Sequence, residues 1–146
     1  MIDLHSYEIY KLDEVADFER AKKGHVYPRG SSTIQVSATR GQIGYLSVPS
    51  EVDSKNVVVI PIAGINTKYF NIVLQRGIEA YMNKYATGIN IQEKEIGNFE
   101  IYLHNNETQL KVVQFVNIMD EQFETTSNEI ETLKELKSKL LSEMMI

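Results

Sequence analysis

The last quarter of the chain carries a stripe of apolar residues at helical spacing. From Glu107 to Ile146 there is no glycine or proline. Apolar residues recur there in alternating steps of four and three, and Thr126 and Lys137 occupy the two remaining positions of this repeat, which we call the seam. The apolar seam residues are Val112, Val116, Met119, Phe123, Ile130, Leu133, Leu140 and Met144. A 3.5-residue repeat held over several heptads is typical of a helix that packs along another helix.

Two arrangements of this segment are open. A single helix would be about 60 Å long at ~1.5 Å per residue, and its seam would need a partner. Two shorter helices could instead fold back as a hairpin, because Thr125–Asn128 is a run of weak helix formers and Thr126 with Glu129 has the spacing of a capping box. A connection between helices normally carries Gly or Pro, so the sequence favours the single helix. Lys137 in the seam is expected to fix the register or the number of partners.

The first 106 residues alternate between strand-like and helix-like patterns. Apolar residues at three- and four-residue steps predict an amphipathic helix over Thr67–Tyr85, although Gly77 lies inside it. Asp13 is expected to cap a short helix that continues through Phe18. Strands are predicted at 7–11, 33–38, 45–48, 57–62, 99–103 and around Ile89 and Ile91. The fold class is therefore α+β: a compact β-rich globule followed by one long C-terminal coiled-coil helix.

Composition narrows the class of protein. A chain of 146 residues, 42% hydrophobic and 24% charged, can form one globular domain with its own core and an appended helix. The absence of cysteine excludes a disulfide framework, a thiolate nucleophile and a cysteine-based zinc site. Met1–His5 lacks the charged and apolar regions of a signal peptide, and no apolar run is long enough to span a bilayer. We therefore expect a soluble cytoplasmic protein with no membrane segment.

Charge is unevenly distributed along the chain. The net charge is −5, but residues 107–146 hold eight acidic residues and four lysines and carry −4 of it. Arg20–Ser50 contains five basic residues and no acid, and Ser54–Ile78 contains three basic residues and no acid. A polyanion responds more to the local charge of a surface than to the net charge of the whole protein. A nucleic acid therefore remains a candidate partner of the globule. A solvated basic face is the simpler explanation of the same charges.

No catalytic constellation is visible in the sequence. His5, His25 and His104 lie far apart, and none has the spacing of a metal-binding pair. There is no glycine-rich phosphate loop of the G-x-x-x-x-G-K type and no G-x-S-x-G nucleophile motif. We therefore predict a non-catalytic protein with no cofactor and no metal, and an enzyme with an unfamiliar site ranks last among the alternatives.

Several segments taken in order suggest a family. They are Tyr10–Ala16 (YKLDEVA), Ile34–Leu46 (IQVSATRGQIGYL), Ile96–Leu103 (IGNFEIYL), Glu107–Val113 (ETQLKVV), Met119-Asp120 and Ile130–Lys137. In this order the chain resembles one half of the specificity (S) subunit of type I restriction–modification systems. Such a subunit carries two target-recognition domains, each followed by a helix, and the two helices pack antiparallel as a spacer. The chain departs from the family in holding one shorter recognition unit, and in having His104-Asn105-Asn106 where prolines usually precede the helix.

The resemblance implies that the two parts of the chain have different functions. Residues 1–106 would form a target-recognition domain that binds double-stranded DNA, and residues 107–146 would form a helix for dimerisation and subunit docking. Modification and cleavage would belong to separate methyltransferase (M) and endonuclease (R) subunits. A lone half has no second helix of its own, so we expect a homodimer, paired through the seam, that reads a bipartite DNA site.

Charge and resemblance together indicate which loop residues are candidates for contact with DNA. The candidates are Lys22, Lys23, Tyr27, Arg29, Gln35, Arg40, Gln42 and Lys68. Lysine and arginine would mostly hold phosphates, while Arg40, Gln42 or Gln35 would read base edges. The alternative function is an interaction protein that does not bind DNA, whose helix pairs with restriction subunits or another coiled-coil partner. The acidic helix and the negative net charge favour that alternative.

Overall fold

The computed structural model describes residues 3–37, 41–85 and 92–144. The chain divides into two compact units, Met1–Leu110 and Lys111–Ile146. The strands are β1 (Glu8–Lys11), β2 (Ala16–Arg20), β3 (Val26–Tyr27), β4 (Ser32–Gln35), β5 (Ile43–Tyr45), β6 (Ser50–Glu51), β7 (Asn56–Pro61) and β8 (Glu100–Leu103). The helices are α1 (Leu12–Val15), α2 (Thr67–Tyr85), a 3₁₀ helix (Glu93–Asn98) and α3 (Asn106–Met144). Candidate Arg40, and the strand predicted around Ile89 and Ile91, lie outside the described residues.

A four-stranded antiparallel sheet forms the centre of the first unit. Its strand order is β2-β7-β4-β5, so the β-branched strand β7 is paired on both sides. Val57 and Val59 of β7 belong to the main core with Phe70 of α2, while Val58 packs on the opposite face of the sheet with Tyr27. The register brings the end of β2, the start of β7, the end of β4 and the start of β5 to one end, which we call the hairpin end. The other end of the sheet is called the helix end, because α2 begins there.

Helix α2 covers one face of this sheet. Its bounds, Thr67–Tyr85, are those predicted from the apolar spacing, and its buried residues include Phe70, Leu74 and Tyr81. The Asn66 side-chain oxygen accepts a hydrogen bond from the backbone N–H of Tyr69 at 3.0 Å and so caps the helix. Gly77 lies in the helix because a Cβ atom there would be only 2.9 Å from the ring of Phe99.

Strands β1 and β8 form a two-stranded antiparallel ribbon, which pairs a segment near the start of the first unit's sequence with a segment near its end. Glu8 is paired with Leu103 and Lys11 with Glu100. The side chain of Ile101 is buried in the main core, while Tyr102 on the opposite face is exposed and stacks on Tyr7 with ring centroids 5.1 Å apart. The ribbon therefore brings residues nearly 100 positions apart in the sequence into contact.

The prediction for the segment after β1 was wrong. A helix was expected from Asp13 through Phe18, but α1 ends at Val15 and the chain then becomes strand β2. All five residues of β2 pair with β7, from Ala16 opposite Pro61 to Arg20 opposite Val57. Local helix-forming preference is weak compared with this run of cross-strand hydrogen bonds, so the sheet determines the conformation.

Helix α3 is one unbroken helix of 39 residues. The hairpin alternative is therefore wrong, and a β-rich globule followed by one long helix is confirmed. The seam residues from Met119 onward are exposed, with Phe123 the extreme case at 76%. No helix within the described part of the chain is long and apolar enough to cross a membrane.

Candidate nucleic-acid interface

The sheet gathers four of the eight candidate DNA contacts near its hairpin end. Lys22 and Lys23 follow β2 by two and three residues, Gln35 ends β4, and Gln42 immediately precedes β5. The backbone N–H of Gln35 donates to the carbonyl of Gln42 at 2.9 Å, which closes the β4–β5 hairpin. Residues that are separated along the chain thus share one end of the sheet.

The two lysines lie on a tight turn between β2 and β3. The backbone N–H of His25 donates to the carbonyl of Lys22 at 3.2 Å, and Gly24 has a φ of 80°, a conformation that favours glycine. Both lysine side chains are exposed. The ammonium group of Lys22 lies 3.5 Å from the carboxylate of Glu19, in an exposed ion pair of little stability. Such a pair can exchange its carboxylate for a phosphate.

The structure corrects the role predicted for Tyr27. Its ring is only 2% exposed and packs against Ala21 and Val58, so it cannot stack on a base. The Tyr27 hydroxyl accepts a hydrogen bond from the backbone N–H of Lys22 at 3.0 Å. The sequence predicted a loop here because the neighbouring residues are turn formers, whereas the chain forms strand β3 and pairs with β6. Tyr27 therefore holds the lysine turn in place.

The two glutamines at the hairpin end differ in availability. Gln42 is exposed, whereas Gln35 is half-buried and its side-chain amide donates to the carbonyl of Ser37 at 3.0 Å. Gln42 is consequently the better placed of the two to meet a base edge. Arg40, the third predicted base reader, falls between them in sequence and is outside the described residues.

Two further cations lie at the hairpin end and were not among the candidates. The guanidinium of Arg20 donates to the carbonyl of Ser54 and, at 3.3 Å, to the hydroxyl of Ser37, so it links the segments that flank β4 and β7. Lys55 is exposed, and its carbonyl accepts the backbone N–H of Val36 at 2.9 Å. Both residues are part of the basic segments noted in the sequence, but only the strand register reveals their shared location.

Acidic groups accompany these cations. The carboxylate of Glu93 accepts the backbone N–H of Arg20 at 3.1 Å, and that of Asp53 accepts the backbone N–H of Lys55 at 2.8 Å. These carboxylates are used to fix the backbone. The charge of the hairpin end is therefore mixed, and its exposed cations are carried on turns.

Arg29 and Lys68 lie at the opposite, helix end of the sheet. Arg29 is exposed on the turn that precedes β4, where Ser31 donates its backbone N–H to the carbonyl of Pro28 at 3.3 Å. Lys68 is in the first turn of α2, and its ammonium group lies 5.1 Å from the centre of the Tyr45 ring. Apart from the buried Tyr27, the structure thus separates the described candidates into two groups at opposite ends of one sheet.

A polar network at the start of α3 was missed by the candidate set. The Gln109 side chain, 3% exposed, accepts the backbone N–H of Asn66 at 3.0 Å and donates to the carbonyl of His104 at 2.8 Å. The Asn105 side-chain oxygen accepts the backbone N–H of Thr108 at 2.8 Å and caps the helix. Asn105 is one of the three residues that stand where the resembled family usually has prolines, and here it caps α3.

Tyr69 belongs to the same network. Its hydroxyl donates to the carbonyl of Tyr102 at 2.9 Å, accepts the backbone N–H of His104 at 3.0 Å, and lies 2.6 Å from the His104 Nδ1 atom. Burial raises the pKa of the Tyr69 hydroxyl above its ordinary value. The hydroxyl therefore remains neutral and can act as both donor and acceptor. Within the described ranges, no group of three or more His, Asp or Glu side chains is arranged to hold a metal ion.

The sequence matches no protein-family model and no curated protein. Solved structures do match. The S subunit of a type I restriction–modification system from M. genitalium superposes with a TM-score of 0.68 at 16% identity, over 94% of this chain and 45% of that one. A chain from a structure on complex assembly and conformational transition of the type I R-M system gives 0.72 at 17% identity, over 92% and 44%. The HsdS subunit from Thermoanaerobacter tengcongensis gives 0.61 at 14% identity, over 82% and 39%.

These matches define the class of fold. The chain has the fold of type I restriction–modification S subunits, with the β-rich unit and the long helix in the same order. It corresponds more narrowly to one half of such a subunit, because it spans less than half the length of each matched chain. The resemblance stated from sequence motifs is thereby confirmed at the level of the fold.

Proposed function

We propose that this protein is a non-catalytic DNA-recognition component of a type I restriction–modification system. The observation that carries the proposal is the fold shared with S subunits over 92–94% of the chain in two of the matched structures. An S subunit is the component that selects the DNA sequence, and this chain would supply one recognition unit of that kind.

The hairpin end of the sheet is the proposed DNA-contacting surface. Lys22, Lys23 and Lys55 are exposed there and carry positive charge on turns, where side chains can reach phosphates. Gln42 is exposed beside them and has the amide group that pairs with a base edge. Arg40 belongs by sequence to the β4–β5 connection and is proposed as a second base reader. Arg29 and Lys68, at the helix end, are proposed as contacts to more distant phosphates.

Binding to a DNA duplex tests the proposal directly. Fluorescence anisotropy with a labelled random duplex at low salt should show binding that weakens steeply as salt increases, because each phosphate contact releases counterions. Replacing Lys22 and Lys23 with alanine should weaken binding and reduce the magnitude of the salt slope by about 1.8, at roughly 0.9 per contact. No binding at low salt, either alone or with a cognate M subunit, would refute the proposal.

Two matched variants distinguish local contact from total charge. Replacing Lys134 and Lys139, which are exposed on α3 outside the seam, with alanine removes the same charge and should leave the salt slope unchanged. Replacing Arg29 and Lys68 tests the helix end of the sheet. If the substitution of Arg29 and Lys68 weakens DNA binding and that of Lys22 and Lys23 does not, DNA contacts the helix end and the proposed surface is wrong.

We further propose that α3 pairs with a second copy and provides a docking surface for M and R subunits. Its exposed seam supports this, because an uncovered row of large apolar side chains is costly in water. Two recognition units in one dimer would read a bipartite site. Light scattering should give twice the mass of the chain, and a monomer at micromolar concentration would contradict the dimer.

The alternative is a protein-interaction role without DNA. The specific observation in its favour is that carboxylates Glu93 and Asp53 lie among the cations of the hairpin end. It predicts a stable complex with M or R subunits that survives alanine substitution at Lys22 and Lys23. If a complex with an M subunit retained full affinity for DNA after these substitutions, the protein-interaction role would be favoured. The hairpin end would then not be the DNA-contacting surface.

A further inference from the structure

The side chain of Arg20 reaches across the hairpin end of the sheet. Arg20 is the last residue of β2 and is paired with Val57 near the start of β7. Strands β2 and β4 flank β7, so they lie about 10 Å apart at ~4.8 Å per strand. The Arg20 guanidinium donates to the carbonyl of Ser54, which precedes β7, and at 3.3 Å to the hydroxyl of Ser37, which follows β4. We call this pair of hydrogen bonds the Arg20 link.

The two linked segments carry different proposed DNA contacts. Lys55, next to one of the two acceptors, is an exposed candidate for phosphate contact. The carbonyl of Ser37 accepts the side-chain amide of Gln35 at 3.0 Å. The backbone N–H of Gln35 in turn donates to the carbonyl of Gln42, the proposed base reader, at 2.9 Å. A series of hydrogen bonds therefore runs from the Lys55 turn, through the Arg20 link, to the base reader.

Gln42 lies beside the shortest strand of the four-stranded sheet. It precedes β5, which has three residues and lies at the edge of that sheet. Short edge strands open locally at low cost in free energy. The position of Gln42 therefore depends on how firmly the end of β4 is held, and the Arg20 link holds that end.

We propose that Arg20 is a positioning residue that fixes the base reader relative to the phosphate-contacting turn. This inference rests on the proposed function and deepens it by naming what sets the geometry of the DNA-contacting surface. Phosphate contacts fix the register of a protein on a duplex, and base contacts then discriminate between sequences. A reading group that is held loosely discriminates less. Loss of the link therefore reduces sequence discrimination more than it reduces affinity for DNA in general.

The chemistry of the link requires arginine. A guanidinium presents its N–H donors in one rigid plane and can bond two segments at once, whereas an ammonium group is a point charge on a flexible stem. The base of the Arg20 side chain is itself held, because its backbone N–H donates to the carboxylate of Glu93 at 3.1 Å. A phosphate contact needs only the positive charge, which lysine also supplies. Arg20→Lys therefore distinguishes positioning from direct phosphate contact.

Sequence discrimination is the quantity to measure. Selection from a random duplex library on the native chain, alone or with a cognate M subunit, supplies a preferred duplex, and anisotropy compares its affinity with that of random duplex. Arg20→Lys should lower the ratio of these affinities about fivefold to tenfold, the lower part of what one base contact contributes. The affinity for random duplex and its salt slope should not change. Ser37→Ala, which removes an acceptor and no charge, should have the same effect, and the double variant should lose no more.

Ser54→Ala is the matched control. Arg20 bonds the carbonyl of Ser54 and not its exposed side chain, so this variant keeps the link and should keep the ratio. Lys55→Ala removes a proposed phosphate contact instead. It should weaken binding to both duplexes equally and reduce the magnitude of the salt slope by about 0.9. Tyrosine fluorescence confirms that each variant is folded.

Amide hydrogen exchange on the chain without DNA measures the link itself. The backbone N–H of Gly41 donates to the carbonyl of Gln35 at 2.9 Å, at the base of the β4–β5 hairpin. In both variants that break the link this amide should exchange about tenfold faster, the lower end of what a hydrogen bond to a charged group contributes. The amide of Val58, in the strand paired on both sides, should exchange at its native rate.

The contrary outcomes are distinct. If Arg20→Lys or Ser37→Ala keeps the native ratio, the link does not set discrimination and the proposal is wrong. If lysine retains the ratio while Arg20→Ala reduces the salt slope by about 0.9, Arg20 is a phosphate contact. Salt-dependent binding that prefers no sequence would refute the positioning role and leave the DNA contact of the proposed function intact. If the chain binds no duplex, both fail, and unchanged exchange at Gly41 would show separately that the link does not order the hairpin.

Discussion

Replacing Gln109 tests how the first turn of α3 is anchored within the globule. The Gln109→Leu side chain is similar in size but cannot hydrogen bond. The N–H of Asn66 and the carbonyl of His104 would each lose their partner. A fully shielded group without a partner costs about 1–3 kcal/mol. Both groups are only partly buried, so we expect the lower end of that range, about 1–1.5 kcal/mol for each group and about 2–3 kcal/mol in total.

Urea unfolding, monitored by tyrosine fluorescence, measures the stability of the globule separately from that of the long helix. The chain has eight tyrosines and no tryptophan, and every tyrosine precedes residue 111. The signal therefore reports the globule and not the long helix. A loss of about 2–3 kcal/mol would be a large part of the ~5–15 kcal/mol that stabilises an ordinary domain.

Gln114→Leu is the matched control. Gln114 is exposed on the same helix, and its substitution should change the free energy of unfolding by no more than about 0.5 kcal/mol. If Gln109→Leu costs no more than this control, then water replaces both hydrogen bonds and the buried network does not anchor the helix.

Two other substitutions probe the core. Gly77→Ala should destabilise the globule by about 1 kcal/mol in urea unfolding, because overpacking against the Phe99 ring outweighs the ~1 kcal/mol gained from helix propensity. In a Phe99→Leu background, where the ring is absent, the same change should stabilise the globule. Burial, with smaller contributions from Glu95 and Tyr85, raises the pKa of the Tyr81 hydroxyl. The stabilisation from keeping Tyr81 neutral is complete below about pH 10, the pKa in the unfolded chain, and is lost as pH rises beyond it. Tyr81→Phe should therefore retain more of its stability than the native chain as the pH is raised from about 10 to about 11.

Each of these has a clear contrary result. Stabilisation by Gly77→Ala with Phe99 present would mean that the ring moves aside at no cost. The Tyr81 hydroxyl has no hydrogen-bond partner among the described residues, so Tyr81→Phe should not weaken the fold at neutral pH. A clear loss at pH 7 would show that the hydroxyl is hydrogen bonded in solution.

Local periodicity predicted the two long helices well. The apolar spacing in α2 gave both of its bounds, and the missing turn residues correctly favoured one helix for α3. Each helix is held by hydrogen bonds between residues four apart, so its pattern is contained within its own segment. The valine-rich strand β7 was recognised for a related reason, because a run of β-branched residues is itself a strand preference.

Pairing between distant segments could not be predicted in the same way. Strand β2 was expected to be helical because its hydrogen-bond partners, on β7, lie about 40 residues further along the chain. Tyr27 was expected in an exposed loop, since nothing nearby in sequence reveals the Ala21 and Val58 side chains that bury it. The division of the DNA-contact candidates between two ends of a sheet likewise follows only from strand register.

The pairing of β1 with β8 has a consequence for synthesis. Glu8 leaves the ribosome long before Leu103, its strand partner, has been translated. At about 5–20 residues per second, β1 waits several seconds or more without a partner. The globule therefore closes only when nearly all of it has been made. Helix α3 needs only local hydrogen bonds and forms within about a microsecond once released, so it follows the globule in the order of synthesis without delaying it.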